Sequence, residues 1–140
     1  MILLDTDHLT VLKYRDSERY AELTDRLRAS NDTVGTTVVN VEEQMRGWLA
    51  AIAKEKKAVR QVLAYRELAD LFAFFAKLEI AAFSEAAAEE FENLRSARVR
   101  IGTMDLKIAA IAIAHGARLL SANRKDFQQV PGLQFENWLV

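Results

Sequence analysis

The side chains that could do chemistry in this chain are carboxylates and one amide. Asp5 closes the apolar run MILLD. Glu43 stands in VVNVEEQMRG, with Gly47 four residues on. Asp105 follows IGTM, and Asn123 and Asp126 lie in SANRKDF. There is no cysteine, and the only histidines are His8 and His115. Disulfide scaffolds, thiolate zinc sites, cysteine nucleophiles and multi-histidine centres are thereby excluded. Neither histidine has an evident partner for acid–base work, so both read as structural. Carboxylates gathered in a partly buried cleft repel one another unless something neutralises them. A hard divalent cation does so. Mg²⁺ takes oxygen ligands, keeps several waters and binds through one or two carboxylates, and Mn²⁺ suits the same ligands. An acid set of this kind fits metal-assisted attack of water on a phosphodiester.

That chemistry requires distant segments to meet. Residues 1–5 read as a short buried strand. Thr6 or Asp7 caps a helix to about Tyr14, and Ser17 caps a second to about Ala29. TVGT (33–36) is a strand. A helix over 38–53 follows, capped by Thr37 or Asn40; with Asn40, Glu43 would complete a capping box. Residues 54–57 make a polar break before a long helix to about Ala76. In it Ala58, Val62, Tyr65, Ala69, Phe72 and Ala76 draw one apolar stripe, expected to face the core. LEIAAF (78–83) is a further strand, and Ser84 caps a helix through about Arg98, with Glu85 near its positive end. After a loop at 99–103, Thr103 caps a helix that stops at Gly116. That helix is apolar almost all round and therefore central. RLLSA (118–122) and LQFENW (133–138) supply the last strands.

Strands separated by helices call for an α/β layer structure with a mainly parallel sheet. In such a sheet the C-terminal strand ends and the following helix N-termini share one edge, where ligands bind. Asp5, Glu43, Asp105 and the pair Asn123 and Asp126 all arrive at that edge.

Composition agrees with one packed domain. The chain has 140 residues, 51% apolar and 28% charged, with five glycines and one proline. That is enough for a core and too turn-poor for a β-sandwich or barrel. The longest apolar run, residues 108–114, is far short of the about 20 residues of a membrane span. No basic segment precedes MILL, so no secretory leader is expected, and the reading is of a soluble, cytoplasmic protein with no membrane partner. The net charge of −1 gives no global basic field. Yet seven acids face only Lys77 between Glu67 and Glu92, and seven bases face two acids between Arg95 and Asp126. The C-terminal third is either a phosphate-facing surface or a solvated helix face.

Taken together, LLDTD (3–7), TTVVNVEEQMRG (36–47), IGTMDLKIAAIAIAHG (101–116), LLSANRKDF (119–127) and the ending PGLQFENW resemble a PIN domain. More narrowly they resemble the VapC-type ribonuclease toxins of toxin–antitoxin pairs, over essentially the whole chain. The resemblance implies a PIN-like three-layer α/β/α fold with a short, mainly parallel central sheet, and a single domain over 1–140. It implies Asp5, Glu43 and Asp105 as metal ligands, the last direct or through water. Asn123 takes a fourth position where many relatives carry aspartate; the neutral amide lowers the charge of the site and its hold on a second metal. Asp126 either compensates through a bound water or caps a turn. Asp7 either lies by the site or caps the first helix. Thr6 and Thr103 either bond to the ligating carboxylates or act as caps. Lys107, Arg124 and Lys125 either face phosphate or simply emerge at the surface.

The implied activity is a Mg²⁺- or Mn²⁺-dependent endoribonuclease toxin that cleaves RNA of the tRNA or rRNA class and arrests translation. The implied partners are a VapB-like antitoxin that obstructs the site and a second copy of the chain, with a larger hetero-oligomer possible. Part of the 58–76 stripe then serves as interface. Two rivals stand beside this. A catalytically weakened PIN-like binding module is favoured by Asn123. A haloacid-dehalogenase-type phosphatase is suggested by Asp5-Thr6-Asp7, but Leu9 stands where that class carries threonine or valine, and no downstream lysine with paired acids follows.

Overall fold

A computed structural model describes residues 1–140. Three apolar residues, Ile2–Leu4, form β1, buried on both faces. The chain then makes α1 (Thr6–Lys13), α2 (Glu18–Ser30), β2 (Val34–Thr37), α3 (Val38–Lys54), α4 (Ala58–Phe75) and β3 (Glu79–Ala81). It continues through α5 (Glu85–Ser96), α6 (Thr103–Ala114), β4 (Arg118–Leu120), a short α7 (Arg124–Phe127) and β5 (Gln134–Glu136). The sheet order is β3-β2-β1-β4-β5. Every pairing is parallel, with Leu3 opposite Gly35 on one side of β1 and Leu119 on the other. The chain winds outward from β1 to β3, then crosses back to β4 and β5. The order therefore reverses between β1 and β4, which opens a crevice at the C-terminal ends of those two strands.

Strand alternation splits the core into two layers. Ile2, Leu4 and Leu120 point to one side, with Leu9, Leu23, Leu27, Leu71, Phe75 and Trp138. Leu3 and Leu119 point to the other, with Phe91, Leu94, Ile108 and Ile111. Helices α1, α2 and α4 thus cover one face, and α5 and α6 the other. This is the expected three-layer α/β/α arrangement. Helix α6 lies between the sheet and α5, which explains why Leu106 and Ile108 through Ala112 are all buried.

Ser17 and Ser84 cap α2 and α5 as their positions predict. Gly116 takes a positive φ of 60° just beyond α6, the left-handed stop expected there. Three caps differ. Asp5, not Thr6 or Asp7, caps α1. Thr37, not Asn40, caps α3, so Glu43 closes no capping box. Gly102 precedes α6 and no side chain caps it; Thr103 is already the first helical residue. The largest correction concerns α4. The stripe Ala58, Val62, Tyr65, Ala69, Phe72 and Ala76 is exposed, with Phe72 at 64% and Tyr65 at 55%. The buried face is instead Ala64, Leu71 and Phe75, with Leu68 packed beside them. No helix is long and apolar enough to cross a membrane.

Candidate metal centre

The local folding of three segments fixes Asp5. Its extended backbone at the end of β1 lets the carboxylate cap α1, where Oδ1 accepts from the Thr6 backbone N–H at 2.9 Å. The same oxygen accepts from the Asn40 amide at 2.9 Å, and Oδ2 accepts from the Ser121 hydroxyl at 2.7 Å. Asp5 is thus buried and held from α1, α3 and the end of β4. Asn40 is aimed in turn by Thr37. The Thr37 hydroxyl oxygen accepts from the Asn40 backbone N–H at 3.0 Å and donates to Asn40 Oδ1 at 2.7 Å. This leaves Asn40 Nδ2 to face Asp5 and, at 3.3 Å, the Thr6 hydroxyl.

Asp7 has a positioning part. One oxygen accepts from the backbone and ring of His8, and the other from the Ala122 backbone N–H at 2.8 Å. Burial pushes its carboxyl up, but the bonds from His8 and Ala122 outweigh that and leave it below the usual aspartate range. Fully buried His8 accepts from the Trp138 backbone N–H through Nε2 at 3.1 Å. That bond assigns the ring proton to Nδ1. The pair ties the start of α1 to the β4–α7 turn and to the C-terminal strap, which is a structural role.

The remaining acids are not satisfied in this way. Glu43, in the second turn of α3, has a buried Oε1 with no hydrogen-bond partner. Burial raises its carboxyl, as do the charges of Asp105, Asp5 and Glu42. Asp105, in the first turn of α6, is pushed up to about 6 by burial and then by the charges of Asp5, Asp126 and Asp7. Asn123 donates through Nδ2 to Asp126 at 3.1 Å and to Asp105 at 3.4 Å. Its Oδ1 accepts from the Asp126 backbone N–H at 3.4 Å and caps α7. In this arrangement Asn123 is the turn cap, and Asp126 presents its carboxylate to the amide and to Asp105.

Asp5, Glu43, Asp105, Asn123 and Asp126 therefore form one interacting group at the C-terminal sheet edge, linked by charge and hydrogen bonds. The donor set is all oxygen, it includes an unpartnered buried carboxylate oxygen, and two of its acids are held up by burial and then by their neighbours' charge. This suits a hard cation. No three acidic or histidine side chains stand close enough to enclose an ion by themselves. An ion held here would bind through only one or two of the carboxylates and keep several waters, as Mg²⁺ does. A hollow of about 370 Å³ lined by Thr6, Glu43, Gln44, Gly47 and Trp48 borders Glu43.

Two members escaped sequence reasoning as site residues, Asn40 and Ser121. Both are fully buried polar side chains. The available signal was a polar residue at the end of an apolar strand (Ser121), and an amide three positions after a threonine cap (Asn40). Thr103 makes no side-chain hydrogen bond to the carboxylates and lines a different depression.

The PIN domain family model matches residues 2–133. Ribonuclease VapC2 of Rickettsia felis is 32% identical over 116 residues, covering 80% of this chain and 79% of that protein. Among solved structures, VapBC2 from Rickettsia felis bound to a DNA fragment from its promoter matches with a TM-score of 0.75 and 29% identity, over 99% of both chains. VapBC-1 from nontypeable Haemophilus influenzae matches with a TM-score of 0.73 at 23% identity over the full length of both, a likeness of fold.

Proposed function

The chain belongs to the PIN-domain family, and from that premise we propose that it is a divalent-cation-dependent endoribonuclease of the VapC type, the toxin of a toxin–antitoxin pair. The observation that carries the reading is the unpartnered, buried Glu43 oxygen in a site where burial, and then repulsion from neighbouring acids, raises both Glu43 and Asp105. A Mg²⁺ or Mn²⁺ ion bound there would relieve that repulsion, acidify a water and offset charge on a scissile phosphate.

The chain's own residues prepare the site. Asn40 and Ser121 hold both Asp5 oxygens in place. Glu43 and Asp105 offer oxygens that little else in the protein engages. With its carboxyl near 6, Asp105 is mostly ionised at neutral pH and gives up its last proton just below it. Asn123 orients Asp105 and Asp126 without adding charge. The hollow at Gly47 and Trp48 admits the strand beside Glu43. Hydrolysis would proceed by in-line attack of water, leaving a 5′-phosphate and a 3′-hydroxyl, on RNA of the tRNA or rRNA class, with translation arrest as the consequence.

A VapB-like antitoxin is the proposed partner, because the similar solved structures are VapBC complexes. Self-association into a homodimer is proposed from the exposed apolar face of α4. The phosphatase alternative loses ground because the match over residues 2–133 is to the PIN domain, while Asp7 is held in a positioning part by His8 and Ala122. The binding-module alternative rests on Asn123 and on carboxylates that enclose no ion unaided.

The test is RNA cleavage by the purified chain after EDTA treatment, with Mg²⁺ restored, beside Asp5→Asn and Glu43→Gln. Mg²⁺-dependent cleavage lost in both variants is expected. Cleavage that survives both would end the assignment, and an inactive wild type would favour the binding module.

A further inference from the structure

We propose that the arginine-lined depression where α5 turns into α6 is an RNA-backbone site that anchors the substrate strand outside the carboxylate centre; the proposal rests on the ribonuclease reading. The depression has a volume of about 540 Å³. Arg95, Arg98 and Arg100 surround an apolar floor that includes Phe91, Val99 and Leu106. Of the three cations only Arg95 has an acidic partner, Glu92 at 3.5 Å, and that pair is exposed. Arg98 and Arg100 are exposed and enter no ion pair.

The backbone at Arg98 is the second observation. Helix α5 closes with the Arg98 N–H donating to the Arg95 carbonyl at 3.0 Å and the Val99 N–H donating to the Leu94 carbonyl at 3.2 Å. This paired closure places Arg98 at the left-handed position, with a φ of 61°. Glycine is the relaxed residue there, and an L side chain is strained. The chain nonetheless places a long cation at that point, directed by the tight turn to the rim of the depression.

The third observation is continuity with the carboxylate centre. Lys107 lies two residues after Asp105, and its Nζ is 5.9 Å from the centroid of the Phe91 ring. The Arg95 guanidinium carbon is 5.5 Å from the same centroid. Cations therefore run from the helix that carries Asp105, over Phe91, to Arg98 and Arg100. A polymer with one negative charge per nucleotide matches such a series, and its sugars and bases match the apolar floor. A single small anion would use only one end of it.

The test uses the full chain in EDTA, so that binding is read without cleavage. A fluorescein-labelled single-stranded RNA of mixed sequence is titrated over a range of salt, with wild type beside an Arg98→Gly, Arg100→Gln double variant. Each lost phosphate contact on a single strand should flatten the log–log salt slope by about 0.7, hence by about 1.4 for two, with the dissociation constant rising about tenfold in moderate salt. The melting temperature should not fall, because glycine relaxes position 98. An unchanged dissociation constant and salt slope overturns the proposal. So does unchanged RNA binding with weakened binding of poly-glutamate, which would mark an acidic-peptide site. A wild type that binds RNA in this way yet never cleaves it would sink the ribonuclease reading and leave the backbone site standing.

Discussion

Replacing Asp105 by asparagine should make the metal-free protein more stable while removing its response to Mg²⁺. The carboxyl of Asp105 is raised from an ordinary 3.8 to about 6 by burial and by the neighbouring acids. A carboxyl that holds its proton more tightly when folded costs stability as pH rises from the unfolded value towards the folded one, and the deficit persists above it. At about 1.4 kcal/mol per tenfold change in proton affinity, the rise sets a ceiling of about 3 kcal/mol. The side chain is only partly buried, and solvent screening brings this to about 1.5 kcal/mol. Asparagine keeps the shape and can keep an acceptor for the Asn123 amide, so little else is lost. In EDTA at a pH of about 7.5, Asp105→Asn should melt about 3–6 °C above wild type by circular dichroism. Near pH 4 the two should converge, because the wild-type carboxyl is then protonated. Mg²⁺ at about 100 times its dissociation constant should stabilise wild type by about 2.7 kcal/mol and the variant far less. An Asp105→Asn protein that melts below wild type in EDTA at the higher pH, or that gains equally from Mg²⁺, refutes the reasoning.

Three further outcomes follow from the packing. Ser121→Ala removes the 2.7 Å bond to Asp5 Oδ2 inside the protein and should cost about 1.5–3 kcal/mol in urea unfolding; a loss under about 0.5 kcal/mol would mean that this bond contributes little. Gly35→Ala should destabilise by at least about 2 kcal/mol or abolish soluble expression. Its Cβ would stand 2.3 Å from the Glu79 carbonyl oxygen of the neighbouring strand, which the sheet cannot move aside, so a normal melting temperature would contradict the β2–β3 register. Gly47→Ala should act in the opposite sense, because no heavy atom lies within 4 Å of the added methyl. A mid-helix alanine should add about 1 kcal/mol while narrowing the hollow beside Glu43, so melting rises as RNA cleavage falls; a lower melting temperature would show that the glycine serves the backbone.

The centre of the sheet was legible because β1 and β4 are buried on both sides and read as apolar runs, as in Ile2–Leu4 and Leu119–Leu120. The position of the acids was legible for a topological reason. Parallel strands all finish at one edge, so Asp5 and Asn123 had to arrive near each other once the crossovers were recognised. Helix α4 was misread because alanine, leucine and phenylalanine cover two of its faces. Periodicity finds both stripes and cannot say which one meets α3 and the sheet, so Val62, Tyr65 and Phe72 were placed inside while Ala64, Leu71 and Phe75 took the core. Asp5 hid its second role because one carboxylate both caps a helix and lines the site. Asn40 and Ser121 were missed because a buried polar side chain declares itself only when its partner, here a residue more than thirty positions away, is known. The four-residue α7 offers no hydrophobic period to read, and only its cap, Asn123, is visible as a turn-forming residue.

The most direct measurement is a calorimetric titration of Mn²⁺ into the EDTA-stripped chain, with Glu43→Gln as the comparison. Because Glu43 Oε1 has no bond within the protein, that substitution removes an offered ligand oxygen and leaves the internal hydrogen bonds intact. Saturable Mn²⁺ binding by wild type, abolished in Glu43→Gln, is the predicted result. An isotherm that is flat for wild type, or the same for both proteins, would contradict the account.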